Sequence, residues 1–274
     1  MPNTSASGND TKFAGSIPQL YERYLVPLIF EPYANDIAAQ VAQLNPQSVL
    51  ELAAGTGVVT RHLATQLPPN VSIVASDLNQ PMIDEAARIG TSRPVEWRQA
   101  DAMELPFAAQ SFDVVVCQFG AMFFPDRGAA YAQARRVLRP GGHFAFNVWD
   151  RIEDNEMIFT VCAALDAMFP DNPPRFMHRG PHGYADKDLI AADLARGGFT
   201  RSDITVVPHR SRAPSARDPA VGYCQGSPLR MEIEAKGPSA LARATDAAEA
   251  AVAKRFGTGA VEGRIQALVA VAPA

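Results

Sequence analysis

Along the chain, short runs rich in apolar and β-branched residues alternate with stretches whose apolar positions recur at helical spacing. Ser48 to Leu52, Val71 to Ser76, Val95 to Gln99, Phe112 to Cys117 and His143 to Val148 are short and largely apolar, as strands covered on both faces should be. Between them, Val58 to Gln66, Gln80 to Arg88 and Arg127 to Leu138 carry helical spacing. Pro81 falls in the first turn of the second of these, where a missing N–H costs nothing. Arg139-Pro140-Gly141-Gly142 stops the third. The alternation predicts a doubly wound, mostly parallel α/β sheet with helices on both faces.

The flanks read differently. Pro18 to Phe30 and Tyr33 to Leu44 are predicted as two leading helices separated at Glu31-Pro32, because proline disfavours helix in the residue before it. After Asp150 the pattern gives a helix at Glu153 to Phe169, then a loop rich in Pro, His and Arg from Pro170 to Gly183. A shorter helix, Lys187 to Arg196, ends at Gly197-Gly198. Strands at Ile204 to Val207 and Arg264 to Val271 bracket a long helical stretch, Ser239 to Phe256, and bring the sheet to seven strands. The expected organisation is a polar, disordered tail over 1–16 and a single domain over 17–274. Its core spans about 46–150, and lid segments span about 17–45, 151–200 and 211–263.

Composition narrows the function classes. The 274 residues carry 25 Lys plus Arg against 29 Asp plus Glu, a net charge of −4, so no overall positive field draws in nucleic acid. The longest apolar run, Val114 to Pro125, is broken by Gln118 and falls short of the roughly 20 residues a bilayer crossing needs. Cys117, Cys162 and Cys224 are far apart and lack metal-ligand spacing, which suits reduced thiols, a cytoplasmic setting and no metal site.

The most informative segment is Glu51-Leu52-Ala53-Ala54-Gly55-Thr56-Gly57, where a first strand turns into a first helix and small residues let a ligand approach the backbone. Asp77 closes the next strand twenty positions after Gly57, where a carboxylate accepts hydrogen bonds from ribose hydroxyls. A dinucleotide fingerprint needs a third glycine where Thr60 stands, and a phosphate loop needs a lysine the segment lacks. Glu51 would repel a pyrophosphate but attract an ammonium, directly or through water. A ligand with a ribose at one end and a cationic amino acid at the other fits.

The sequence here resembles the class I S-adenosylmethionine-dependent methyltransferases, and especially the small-molecule branch of quinone and menaquinone methylases. The resemblance covers roughly Ser48 to Val148. It rests on Glu51 to Gly57, on Ser76-Asp77-Leu78-Asn79 followed by Met82, on Gln99 to Phe107, and on Leu138 to Gly142, in that order. It implies that Glu51, Ala53, Gly55, Thr56 and Gly57 hold the methionine end and admit the ribose of S-adenosylmethionine, and that Asp77 binds the ribose hydroxyls. Leu78 or Met82 would pack on the adenine, Asp101 would accept its amino group, and Ala102 and Met103 would lie beside the ring. Gln118 and Phe119 would border the transferable methyl, with Tyr21 of the leading helix covering the cofactor. Ala53 departs from the family pattern, standing where many members have glycine.

The acceptor is less legible. His178, His182 and Tyr24 are candidates to face it as catalytic groups, and Phe123-Phe124-Pro125 offers an aromatic rim suited to an aromatic or apolar small molecule. Arg175, Arg179, Arg210, Arg212 and Arg217 could instead clamp a carboxylate. Two other readings are a nicotinamide-dependent oxidoreductase on a related sheet and a non-catalytic protein that binds the same cofactor. Oligomeric state is left open.

Overall fold

The computed structural model describes residues 10–11, 13 and 15–274. At its centre is one seven-stranded sheet in the order β3-β2-β1-β4-β5-β7-β6. The strands are β1 (Ser48–Leu52), β2 (Ser72–Asp77), β3 (Glu96–Gln99), β4 (Phe112–Gln118), β5 (Leu138–Trp149), β6 (Asp203–Ala213) and β7 (Val261–Pro273). The first five run parallel, while β7 pairs antiparallel with both β5 and β6. β1 is buried along its whole length, which accounts for the apolar Val49, Leu50 and Leu52, with Ser48 and Glu51 as its buried polar positions. Strand order reverses between β1 and β4, so the carboxyl ends of these two strands diverge and leave a crevice.

The expected strands and core helices are present, with α3 (Val58–Gln66), α4 (Gln80–Ile89) and α5 (Arg127–Val137) joining strands of the core. The later strands are longer than expected, because β6 and β7 form a continuous antiparallel pair from Asp203↔Val271 to Ala213↔Val261. β5 absorbs the Arg139 to Gly142 turn, with a register shift opposite Phe112 and Val114.

The leading segment differs from its expected break. α1 (Ile17–Leu20), a π-helical stretch at Tyr21–Phe30 and α2 (Glu31–Gln43) form one uninterrupted helical run. The π register supplies the physical reason. Glu31 N–H reaches back to the Val26 carbonyl, and this wider turn accommodates Pro27 and Pro32 without ending the helix. Tyr33, fully buried, donates its hydroxyl hydrogen to the Val207 carbonyl at 2.9 Å and ties this run to β6.

The expected tail is corrected in part. Residues 1–9, 12 and 14 lie outside the described residues, but Asp10 pairs with Arg179 and Phe13 packs edge-on against Tyr21. An apolar ring and a buried carboxylate with a partner draw this stretch onto the protein body. After β5 come α6 (Glu156–Met168), the single turn α7 (Phe176–Arg179) and α8 (Lys187–Arg196). Between β6 and β7 lie α9 (Arg217–Gln225), α10 (Leu229–Glu234) and α11 (Ala240–Phe256). The insertion packs on the leading run, with Leu25 and the Cβ of Tyr24 against Gly222 of α9.

Candidate functional site: two joined cavities

Two cavities open at the carboxyl ends of the parallel strands and share Phe13, Tyr21, Phe119 and Phe123 as a common wall. The larger, about 950 Å³, is built mostly from strand ends and the turns that follow them: Leu52, Ala53 and Gly55 at the end of β1, Ser76 to Asn79 at the end of β2, Ala100 to Ala102 after β3, and Gln118 to Gly120 at the end of β4. Met82 of α4 lies on its floor and Leu78, half exposed, at its edge.

The turn after β1 is held by Asp77. One carboxylate oxygen accepts the Gly55 N–H at 2.9 Å and the other accepts the Asn79 N–H at 2.8 Å. Burial raises the carboxyl pKa, and these bonds from Asn79 and Gly55 pull it back. Gly55 and Gly57 both adopt positive φ, +57° and +84°. Their roles separate in space. A Cβ on Gly55 would still clear Met82 by 3.5 Å, whereas one on Gly57 would lie 2.7 Å from the Trp97 ring and 3.3 Å from Ala86. Gly57 therefore serves close helix packing and does not line the cavity.

Glu51 and Thr56 are also buried behind the turn and off the cavity lining. Glu51 accepts the Thr60 hydroxyl hydrogen at 2.6 Å, so the threonine standing at the third-glycine position is spent on fixing this carboxyl. Burial pushes the Glu51 carboxyl up to about 8, against the Thr60 bond and the Arg61 charge. Thr56 Oγ1 is buried with no hydrogen-bond partner among the described residues, which leaves a polar atom behind the turn available to a ligand or water. Arg61 clamps the turn to the leading run, donating to the Thr56 carbonyl at 2.7 Å and to Glu22 at 2.8 Å.

Asp101 is exposed at the rim, and one of its oxygens accepts the Met103 N–H at 2.8 Å. Ala102 lines the cavity and Met103 does not, because the Asp101 turn carries it away from the rim. Tyr21 is stacked on Phe30 at 4.9 Å, and its hydroxyl pKa is raised by burial and by Glu22 and Asp77.

Phe119 holds the junction of the cavities in a left-handed conformation, φ +52°, that a bulky residue adopts only under constraint. The constraint is explicit. Its N–H donates to the Asn147 carbonyl and side-chain oxygens, both at 3.0 Å, and its ring stacks on Trp149 at 3.7 Å and 5°. Gln118 and Asn147 are 3.4 Å apart through their amides, and Gln118 also donates to the Phe30 carbonyl at 3.2 Å. Gln118 thus anchors the leading run beside the cavity. Ala53, also at positive φ, +51°, faces Gly120, whose Cβ would come 2.4 Å from that of Ala53.

The smaller cavity, about 600 Å³, is walled by side chains from distant parts of the chain, including Leu25, Ile29, Trp149, Ile158, Met177 and Tyr223. Among the described residues, no charged side chain lines it. His182 does line it, with Nδ1 2.7 Å from the Asp150 carbonyl, and burial pushes its pKa down to about 4. His178 and Tyr24 line neither cavity. The Cβ of Tyr24 lies beside Gly222 of α9.

The expected arginine clamp is not assembled. Arg175 pairs with Asp166, Arg179 with Asp10 and Glu232, Arg210 and Arg212 with Glu262, and Arg217 with Asp246 and Glu249. None of the five reaches either cavity, because each already has a carboxylate partner elsewhere. The sequence reading missed Trp149, Tyr223 and Phe13. Of these only Trp149, an aromatic residue at the carboxyl end of a strand, carried a usable signal.

A family model described as a methyltransferase domain matches residues 49–142. Over residues 49–142 the chain is thus similar to methyltransferase domains, and its seven-stranded sheet has the α/β methyltransferase fold. Demethylmenaquinone methyltransferase of Lactobacillus johnsonii is 37% identical over 97 residues, 34% of this chain, and this chain spans only 40% of that relative's length. Ubiquinone/menaquinone biosynthesis C-methyltransferase of Pseudomonas aeruginosa strain LESB58 is 25% identical over 69% of this chain and 74% of its own. A solved phosphoethanolamine N-methyltransferase 2 of Haemonchus contortus, bound to phosphomonomethylethanolamine and S-adenosylhomocysteine, superposes with a TM-score of 0.52 at 16% identity. That superposition covers 88% of this chain and 53% of the other and extends the common fold beyond the methyltransferase domain. The nicotinamide reading is set aside by the family match and by the use of Thr60 to hold Glu51. No helix among the described residues is long and apolar enough to cross a membrane, and none of their His, Cys, Asp and Glu side chains cluster as a metal site.

Proposed function

We propose that the chain transfers the methyl group of S-adenosylmethionine to an uncharged aromatic small molecule held in the smaller cavity. One observation carries this reading: the turn-built cavity and the smaller, apolar-walled cavity meet at Tyr21, Phe119 and Phe123, so a ligand in each would touch at that wall. The larger cavity suits the cofactor, with Asp77 presenting a carboxylate to ribose hydroxyls, Met82 and Leu78 an apolar face to adenine, and Glu51 a carboxyl behind the turn for the amino-acid end. S-adenosylmethionine, when bound, supplies a methyl group already activated on a sulfonium. The protein's remaining work is alignment and exclusion of water. Phe119, Trp149, Phe30 and Tyr21 form a stacked aromatic wall that fixes a flat acceptor and keeps the junction dry.

The lining supports an acceptor without charge, since a carboxylate or an ammonium would meet no counter-charge among the described lining residues to offset its desolvation. Both curated relatives above are named for quinones, which agrees with a flat apolar ring. The leading run and the segments after β5 and β6 act as the lid of this second cavity, contributing Leu25, Ile29, Ile158, Met177 and Tyr223.

The test is calorimetric titration with S-adenosylmethionine, S-adenosylhomocysteine and a nicotinamide dinucleotide, followed by methylation assays on a naphthoquinol and on a phosphorylated amine. Binding of the first two alone, with turnover of the naphthoquinol, is expected. Binding of the dinucleotide alone, or turnover restricted to the charged amine, would overturn the reading.

A further inference from the structure

We infer that His182 is the proton acceptor of the smaller cavity and selects aromatic acceptors that carry a hydroxyl group beside the ring carbon to be methylated. The inference rests on the methyl-transfer reading above. Its geometry is specific. Nδ1 lies 2.7 Å from the backbone carbonyl of Asp150, a group that can only accept, so Nδ1 carries the proton and Nε2 carries the lone pair. Asp150 follows β5 directly after Trp149, and the His182 and Trp149 rings are 6.2 Å apart, so the basic nitrogen belongs to the same wall that meets Phe119.

The other polar groups of this cavity are less suited. Asn155 is consumed, its amide donating to the Arg151 and Gln266 carbonyls and its oxygen accepting the Gln266 N–H. Ser227 donates to the Tyr223 carbonyl. Tyr21 and Tyr223 have hydroxyls that burial makes still weaker acids, so they serve as donors. Among the described lining residues, His182 alone offers a neutral base to a hydroxyl hydrogen in the cavity.

The charged and titratable groups around it are the Asp150 carboxylate, Glu153 and His178. The Asp150 carboxylate accepts from Arg151 N–H and from the Gln266 amide, both at 2.8 Å. Burial outweighs the two acidic neighbours and holds the ring neutral throughout the physiological range. A weak base suffices here. As the ring carbon takes the methyl group, the acidity of the hydroxyl rises steeply, so transfer to Nε2 is favourable late in the step.

The balance is complete. The O–H bond breaks and its proton passes to Nε2 while the ring carbon bonds to the methyl carbon. The methyl–sulfur bond breaks with its electron pair left on sulfur. One positive charge thus leaves sulfur as one appears on the imidazole, and the total charge of the enclosed site is constant. The imidazolium then returns its proton to the oxygen as the methylated carbon releases its hydrogen to water and the aromatic ring is restored.

The experiment uses the full chain, with ¹⁵N-labelled histidine in the S-adenosylhomocysteine complex and 1-naphthol or naphthalene as probe. The expected spectrum has His182 protonated on Nδ1, with the Nε2 signal moving on saturation with 1-naphthol and not with naphthalene. A proton on Nε2, or the same response to both probes, would overturn the assignment. His182→Asn keeps an amide donor near the Asp150 carbonyl and removes the base. It is expected to lower kcat for 1-naphthol methylation about 100-fold or more, to leave S-adenosylhomocysteine affinity unchanged, and to make the residual rate rise with pH. Retention of the wild-type rate and pH profile would also overturn it. If the wild type binds 1-naphthol with the expected nitrogen shift but methylates no acceptor, the methyl-transfer reading fails and the His182 contact stands.

Discussion

The two cavities meet at one wall but are made of different materials. The larger is lined by turns at strand ends, where backbone conformation and a few carboxylates do the holding, with Asp77 bonded to Gly55 and Asn79. The smaller is lined by side chains brought from Phe13 to Pro228, with few polar groups and, among the described residues, no charge. A site made of backbone is defined by φ, ψ and hydrogen-bond directions, so it fails when the turn is disturbed. A site made of apolar side chains is defined by shape, so it can be retuned one residue at a time without loss of the fold.

The sharpest way to break the turn-built side is Gly57→Val. The new Cβ would lie 2.7 Å from Trp97 Cη2, and the residue would have to hold φ +84°, which β-branched side chains resist. Overpacking and backbone strain together are expected to cost about 3 kcal/mol or more, read as a lowered denaturation midpoint. A Trp97→Ala background should recover the packing part only. An unchanged midpoint for Gly57→Val would mean that the turn is not built as described.

Asp77→Ala comes next. It removes a buried carboxylate that accepts two backbone N–H groups and, in the proposed function, the ribose hydroxyls. Loss of charge-assisted bonds of this kind is expected to weaken S-adenosylhomocysteine binding by about 100-fold, or about 3 kcal/mol, by calorimetry. Binding of naphthalene in the smaller cavity should be affected far less, and an equal loss at both sites would erase the distinction between them.

The same contrast explains what could be read from the sequence. The strand-end turns are local: Glu51 to Gly57 and Ser76 to Asn79 each sit within a few residues, and the small residues and the carboxylate are visible there as letters. Even so, the letters did not separate Gly55, which faces the cavity, from Gly57, which faces Trp97. That difference lies in the direction of a missing Cβ. The smaller cavity depends on where the leading run, π-helical over Tyr21–Phe30, crosses α9, with the Cβ of Tyr24 beside Gly222. Nothing in the residue pattern announces a π turn, and proline at 32 pointed instead to a break. The five arginines looked available because their partners, such as Glu262 for Arg210 and Arg212, are distant in sequence.

Glu51 offers a subtler test of the turn-built side. Its carboxyl titrates in the folded protein at about 8, above the 4.5 of an unburied glutamate, so the fold favours the protonated form. Its contribution to stability is present in full below pH 4.5 and is lost as pH rises through 8. An ammonium bound beyond the turn favours the ionised form. Cofactor binding at pH 7 is therefore expected to release a proton and to strengthen by up to about tenfold between pH 7 and 8. Calorimetry in buffers of different ionisation enthalpy measures the release. Glu51→Gln should abolish it, and an identical release in that variant would assign the proton to another group.

The smallest effect is expected from Tyr223→Phe on the side-chain-built cavity. Tyr223 is a buried residue that lines the smaller cavity, and its hydroxyl makes no hydrogen bond to the described residues, so removing it deletes no bond within the protein. Stability should hold, because the hydroxyl makes no bond whose loss would cost the fold. In the complex the hydroxyl has one role left, donation to an acceptor oxygen. Its loss should raise KM for a hydroxylated aromatic about threefold to tenfold, the value of one neutral hydrogen bond, with S-adenosylhomocysteine affinity unchanged. A drop in stability with KM unaltered would place the hydroxyl in the framework. The cavity would then recognise its ligand by shape and by His182, with no second polar contact from α9.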